Sequence, residues 1–109
     1  MRTLLIDGIA GLTYSVASSD TAASLAAAKL TDSDGRKMQS VIIENNAATG
    51  YGVRYGFGGY TPALGAPGTG HFLAAGSILE IVGYANCASF KFVNDVTGEN
   101  ALLYVTPKY

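Results

Sequence analysis

The chain has 109 residues, of which 49% are hydrophobic and only 14% charged, and its net charge is −1. That length suffices for one domain with its own core, and the charged fraction lies well below the ~25% of ordinary globular proteins. The weak, scattered charge disfavours a nucleic-acid-binding surface, no apolar run reaches the ~18 residues of a membrane span, and a lone cysteine excludes an internal disulfide.

The first residues, "MRTLLIDGIAGL", resemble a signal peptide only in part. Asp7 interrupts the apolar run, and no small-residue cleavage pattern follows it. We therefore expect a chain that is not exported. One domain is predicted over 1–109, with an N-terminal arm and first strand region in 1–39 and the main strands in 40–106.

A short helix is the first predicted element. Asp20 could cap "TAASLAAAKL", since alanine has high helical propensity and aspartate accepts hydrogen bonds from free N–H groups at a helix start. An extended conformation is the alternative for this stretch. The following "DSDG" (32–35) predicts a turn.

From residue 40 the chain reads as short strands separated by Gly, Asn, Asp and Pro, which is typical of an all-β sandwich or barrel. Residues two apart share a face of a strand, which groups Val41 with Ile43 and predicts one buried face for the set Val53, Tyr55 and Phe57. Phe90 and Phe92 share a face in the same way and are predicted to lie in the core. "ILEIV" and "ALLYV" are nearly continuously apolar, which predicts cover on both faces, by the facing sheet and by a neighbouring subunit. We predict a jelly-roll-like β-sandwich of seven or eight strands, six of which cover 40–46, 51–57, 71–75, 77–84, 88–93 and 100–106.

A glycine-rich loop over 56–71 is long for a compact domain, and long loops are often functional. Tyrosines cluster around it, and tyrosine is enriched at interfaces because it combines apolar area with a polar tip. We predict a contact surface here. Its candidate residues are Tyr51, Tyr55, Tyr60, Pro62, Leu64 and Pro67.

Binding and catalytic motifs are weak. The glycine-rich loop lacks the Gly-Lys-Ser/Thr that follows a phosphate-binding loop, so turns and subunit contacts are its favoured role. His71 and Cys87 lie too far apart in sequence for a recognisable metal or nucleophile motif, and a free cysteine is most often a small core residue. We expect both to be incidental to function.

The carboxylate side chains likewise form no clear metal-binding or catalytic motif. The "DSDG" turn has too few spaced oxygen ligands for a calcium loop. Glu44 and Glu80 could form an acid–base pair only if the fold brought them together, and a surface or interface position is the favoured interpretation. We predict no enzymatic activity, no cofactor and no metal site.

The order of several short motifs resembles a group of small tailed-bacteriophage virion proteins. The shared pattern includes Leu30 and Thr31 in an "A-x-x-LT" start, and "VRY" at 53–55. It continues with a glycine-bounded block over 70–83, "N-h-x-x-F-x-F" at 86–92 (h, apolar) and "A-x-L-x-VT" at 101–106. The "GGYTPALGAP" loop is longer than usual in that pattern.

What the resemblance implies is a β-sandwich subunit of a phage particle, most plausibly a capsid decoration or cement protein. Its expected partners are other copies of itself, as a dimer or trimer, and the major capsid protein, at the capsid surface. The alternative is a head-fibre or tail-associated module that contacts host glycans through Tyr51, Tyr55, Tyr60 and the glycine-rich loop.

Overall fold

The computed structural model describes residues 9–65 and 68–109 and contains eight β-strands and one short α-helix. The predicted contact residue Pro67 and the opening segment 1–8 lie outside the described residues. The elements in chain order are β1 (Tyr14–Ala17), β2 (Ala23–Ser24), β3 (Ser40–Asn45), β4 (Val53–Gly56), β5 (His71–Leu73), β6 (Ile78–Val82), α1 (Tyr84–Ser89), β7 (Lys91–Asn94) and β8 (Leu102–Lys108).

The strands form two four-stranded antiparallel sheets that confirm the predicted all-β sandwich. The first sheet has the order β1-β8-β3-β6 and the second the order β2-β7-β4-β5. Strand pairs β1–β8, β2–β7, β3–β6 and β4–β5 are each hydrogen-bonded, so the chain is one long hairpin rolled into two layers. That pairing is the jelly-roll arrangement.

The core lies between the sheets and follows the predicted alternation of side chains. Val41 and Ile43 on β3 are fully buried, whereas Glu44 beside them is exposed. Phe90 and Phe92 are buried on the facing side, with their ring centroids 5.7 Å apart. The prediction that these two phenylalanines lie in the core is confirmed.

The predicted N-terminal helix is wrong. Within its span the chain forms the two-residue β2 and a single 3₁₀ turn over Ala27–Lys29. The Asp20 carboxylate caps no helix, because it accepts hydrogen bonds from the side-chain amide of Asn94 and the backbone N–H of Gly98. Tertiary contacts to the end of β7 thus override the helical propensity of the alanines.

The strand predicted over 88–93 starts too early. Residues Tyr84–Ser89 form α1, and the chain becomes extended only at β7. The helix is held by its neighbours, since the Asn86 side chain donates to the Val82 carbonyl and the Ser89 hydroxyl accepts from the Gly58 N–H. A helix this short lies far below the length at which isolated sequences become helical.

Among the described residues, the apolar strands β6 and β8 are covered on one face only. The facing sheet buries Ile81, Leu103 and Val105. On the outer face of the first sheet, by contrast, Val82 is 66% exposed and Tyr104 is 37% exposed. Cover of this outer face by a neighbouring subunit stays a prediction.

Two fully buried asparagines tie the sheets together at one end of the sandwich. Asn45, at the end of β3, donates its side-chain N–H groups to the carbonyls of Tyr51 and Leu73 in the other layer. Asn94, at the end of β7, accepts from the Ser18 hydroxyl beyond β1. Hydrogen bonds made by buried polar groups resist separation of those groups, so the two bonds from Asn45 Nδ2 and the bond between Ser18 and Asn94 hold one layer against the other.

The glycine-rich loop is anchored on the outer face of the second sheet by an ion pair. Arg54 Nε donates to Asp95 Oδ1 at 2.7 Å, and an Arg54 Nη donates to the Gly70 carbonyl at 3.2 Å. The backbone of Asp95 accepts from the Gly65 N–H, and its carboxylate accepts from the Gly68 N–H. The loop ends on both sides of 66–67 are therefore tied to the sheet.

This ion pair makes stability depend on pH at acidic values. The hydrogen bond from Arg54 holds the pKa of the Asp95 carboxyl below its ordinary value of 3.8. A carboxyl with a lowered folded-state pKa stabilises the fold above its ordinary pKa, and that contribution is lost as the pH falls through the folded-state pKa.

We predict that Asp95→Asn lowers the free energy of unfolding by about 1–3 kcal/mol at pH 7, because charge-assisted hydrogen bonds are lost. Urea denaturation at several pH values should show this difference shrinking as the pH falls below the ordinary carboxyl pKa of 3.8. Asp34→Asn is the control, because that side chain is 72% exposed. A difference between wild type and Asp95→Asn that stays constant down to pH 2 would contradict the assignment.

Candidate functional site

An aromatic groove opens at the end of the sandwich away from the two buried asparagines. It has a volume of about 470 Å³. Its lining combines aromatic rings with glycine backbone: Tyr55, Gly56, Phe57, Tyr60, Gly70 and His71. We call it the aromatic groove.

The floor of the aromatic groove is the outer part of the core. The Tyr55 ring lies 5.7 Å from Phe90 and 5.4 Å from His71, measured between ring centroids. Phe57 meets Tyr55 edge-on at 5.8 Å. Aromatic pairs at these separations are attractive, so the rings hold one another in place and the floor is rigid.

Glycines at two positions let the walls of the groove approach its floor. A Cβ at position 56 would lie 2.6 Å from Cδ1 of Tyr60, so Tyr60 packs directly over the Gly56 backbone. Gly70 has φ of +107° and approaches the Tyr55 carbonyl, where a Cβ would lie 2.8 Å from the oxygen. Both contacts depend on the absence of a side chain.

A second, smaller groove of about 340 Å³ continues from the first along β6. We call it the β6 groove, and Phe57 lines both. The other lining residues of the β6 groove are Leu79, Glu80, Ile81, Val82 and Asn86. The two grooves together follow the open side of the sandwich between strands β5 and β6.

The structure brings together two of the predicted contact residues and separates the rest. Tyr55 and Tyr60 line the aromatic groove. Tyr51 is 40% exposed, but it precedes β4 and lies about 20 Å of extended chain away from Phe57. It belongs to the opposite end of the sandwich, where its carbonyl accepts from Asn45.

The structure places the loop residues of the predicted contact surface at different depths. Pro62 is fully buried. It packs beneath the loop, near Gly70. Leu64 is half-buried. The anchored loop therefore shapes a wall of the aromatic groove and holds Pro62 inside the fold.

Sequence reasoning missed two residues of this site. Phe57 was predicted to share a strand face with Val53 and Tyr55, which is correct, but it also reaches the open side of the sandwich. His71 was considered incidental, yet its exposed ring contacts Tyr55 in the aromatic groove. The period-two alternation gave the signal for Phe57, whereas nothing local distinguished His71.

The other polar candidates have structural roles. Asp32 accepts hydrogen bonds from the backbone N–H and the guanidinium of Arg36, so the "DSDG" turn is closed by arginine. Cys87 is fully buried, and burial raises the pKa of its thiol. Glu44 and Glu80 are exposed on adjacent strands of the first sheet.

The described residues contain neither a metal-binding cluster nor a membrane-spanning helix. Within 9–65 and 68–109, no three His, Cys, Asp or Glu side chains are grouped so that they could hold a metal ion. No described helix has both the length and the apolar character required to cross a membrane.

Comparison of the chain with known protein families, with curated proteins and with solved structures finds no match.

The burial of Cys87 predicts low reactivity of its thiol. Because the thiolate is the nucleophile and burial disfavours it, a thiol-reactive disulfide reagent at pH 8 should label the folded chain only slowly and the urea-unfolded chain at once. The control is Ala85→Cys in a Cys87→Ala background, which places the thiol at an exposed position of α1. Labelling of folded Cys87 as fast as that of the control would contradict the burial.

Proposed function

We propose that the chain is a bacteriophage virion structural protein, namely a capsid decoration or cement protein without enzymatic activity. Support comes from the sequence resemblance and from the fold, since jelly rolls recur in viral capsid and lectin domains. Because one fold hosts many functions, the function has to be inferred from the residues on the surface.

The observation that carries the proposal is the apolar outer face of the first sheet. Ile78, Val82 and Tyr104 are 39%, 66% and 37% exposed on it. The register places Ile78 and Tyr104 on either side of Glu44, so apolar and charged side chains share one row. Exposed apolar patches on small domains usually mark contacts with partners.

A shell protein could use this face in two ways. Contact with other copies would give the proposed dimer or trimer, and contact with the major capsid protein would fix the chain at the capsid surface. Specific contacts bury roughly 1,200–2,000 Å² in total, and repetition around a symmetric shell raises the effective affinity of a small subunit.

We predict that the purified chain co-sediments with capsids of the phage that encodes it, and that Tyr104→Glu weakens this binding at least about tenfold. A carboxylate at 104 lies directly opposite Glu44, so the contact would desolvate two like charges without a cationic partner. Tyr51→Glu is the matched control, because Tyr51 is similarly exposed at the far end of the sandwich. Absence of binding by the wild-type chain, together with a persistent monomer in native mass spectrometry, would overturn the proposal.

The second candidate is a glycan-binding module, and the aromatic groove is the observation that favours it. Its rings offer apolar faces, while the Tyr60 hydroxyl and the His71 imidazole could hydrogen-bond a polar ligand. A host-surface glycan is then the ligand class.

Under this alternative, glycan-array binding should be lost in Tyr60→Ala, because Tyr60 forms the wall above Gly56. Tyr51→Ala should bind as the wild type does, since Tyr51 lies outside the groove. Absence of binding to every glycan, or equal loss in the two variants, would exclude the groove as a glycan site.

A further inference from the structure

Strand β6 is an open sheet edge. It borders the first sheet, and only β3 pairs with it. With five residues it is longer than the other edge strands of the described sheets: β1, β2 and β5. An unpaired edge presents a row of N–H and C=O groups that can pair with another strand.

The register shows which backbone groups of β6 are free. Gly83 donates to the Gln39 carbonyl, and Asn45 donates to the Ser77 carbonyl, so the odd-numbered residues from 77 to 83 face β3. In an antiparallel pair, alternate residues point their backbone groups away from the partner. The backbone groups of Ile78 and Glu80 therefore point outward, and no hydrogen bond to them exists within the described residues.

The side chains of β6 determine which face of the sheet each residue of an incoming strand would join. Residues opposite Leu79 and Ile81 would point inward, into the β6 groove and toward Phe57. Residues opposite Ile78, Glu80 and Val82 would lie on the outer face of the sheet. The inward positions thus favour apolar side chains.

The negative charge of Glu80 determines which residue of an incoming strand is favoured opposite it. Glu80 and Glu44 lie on adjacent strands, diagonal to each other, and neither carboxylate has a cationic partner among the described residues. Opposite charges on directly paired strand residues attract, and like charges repel. A lysine or arginine opposite Glu80 is therefore favoured.

A second copy of β6 fits this edge less well. Antiparallel self-pairing that sets Ile78 against Val82 of the second copy also sets Glu80 against its own counterpart. Charged side chains on edge strands are a common device against such self-pairing. The edge discriminates against its own copy and admits a basic strand.

We propose that β6 is a β-augmentation site for an extended segment of a partner protein, with a central lysine or arginine opposite Glu80 flanked by apolar residues. Backbone hydrogen bonds to Ile78 and Glu80 supply affinity, and the β6 groove and the carboxylate supply selectivity. The inference deepens the proposed function, on which it rests for the nature of the partner: an extended arm of the capsid protein.

The test uses two synthetic peptides with the full-length chain. One is acetyl-Ser-Thr-Val-Lys-Val-Thr-Ser-amide, and the other has glutamate in place of lysine. Titration followed by two-dimensional NMR should shift the amide signals of β6 and slow the hydrogen exchange of the Ile78 and Glu80 amides with the lysine peptide. The glutamate peptide should bind at least about threefold more weakly than the lysine peptide.

The charge-reversal variant Glu80→Lys should invert the peptide preference, whereas Glu99→Lys, the same charge change in the β7–β8 connection, should not. Shifts centred on Tyr60 and His71, or a preference unchanged by Glu80→Lys, would overturn the proposal. So would protection of the Ile78 and Glu80 amides that rises with protein concentration alone, since a second copy would then occupy the edge. Peptide binding without capsid binding would leave the edge site standing and refute the virion role.

Discussion

The arrangement of this protein depends on two buried asparagines that join its sheets at one end. Asn45 reaches from the first sheet to the carbonyls of Tyr51 and Leu73, and Asn94 reaches from the second sheet to Ser18 and Asp20. Loss of a partner would leave a buried polar group unsatisfied, so these bonds oppose sliding of the layers. The sandwich is closed by polar bonds at this end.

At the opposite end, the side chains are held by packing of aromatic rings and not by hydrogen bonds between buried polar groups. Phe90 contacts both Tyr55 and Phe57, and the latter two line the open side of the sandwich. Aromatic rings tolerate partial exposure and still hold their geometry through one another. The fold therefore has a closed end that sets the register and an open side with a rigid apolar lining. The aromatic groove and the β6 edge lie on that open side, and the outer face of the first sheet adjoins it at β6.

The sequence predicted the fold where local pattern and tertiary packing agree. The alternation in β3 and around Phe90 and Phe92 identified core faces, because burial of one sheet face imposes a period of two. The sequence-based prediction was wrong at α1 and at the alanine-rich stretch after Asp20. There the conformation is decided by contacts with residues distant in sequence, such as Gly58 with Ser89 and Asp20 with Asn94.

The site was predictable only in part for the same reason. Tyr55 and Tyr60 were found because their glycine-rich surroundings and tyrosine content are local signals. The buried position of Pro62 was not predicted, because an ion pair between Arg54 and Asp95, which lie 41 residues apart, folds the loop back. The free edge of β6 is likewise a property of strand order, which one strand's sequence does not contain.

Hydrogen–deuterium exchange of the chain, free and bound to capsids, tests the central claim that it binds the capsid through β6 and the surfaces that meet there, the outer face of the first sheet and the open side. The account predicts new protection concentrated in 57–60 and 78–82, with the turn around Gly98 unchanged. Protection confined to the closed end, near Tyr51 and Gly98, would contradict it.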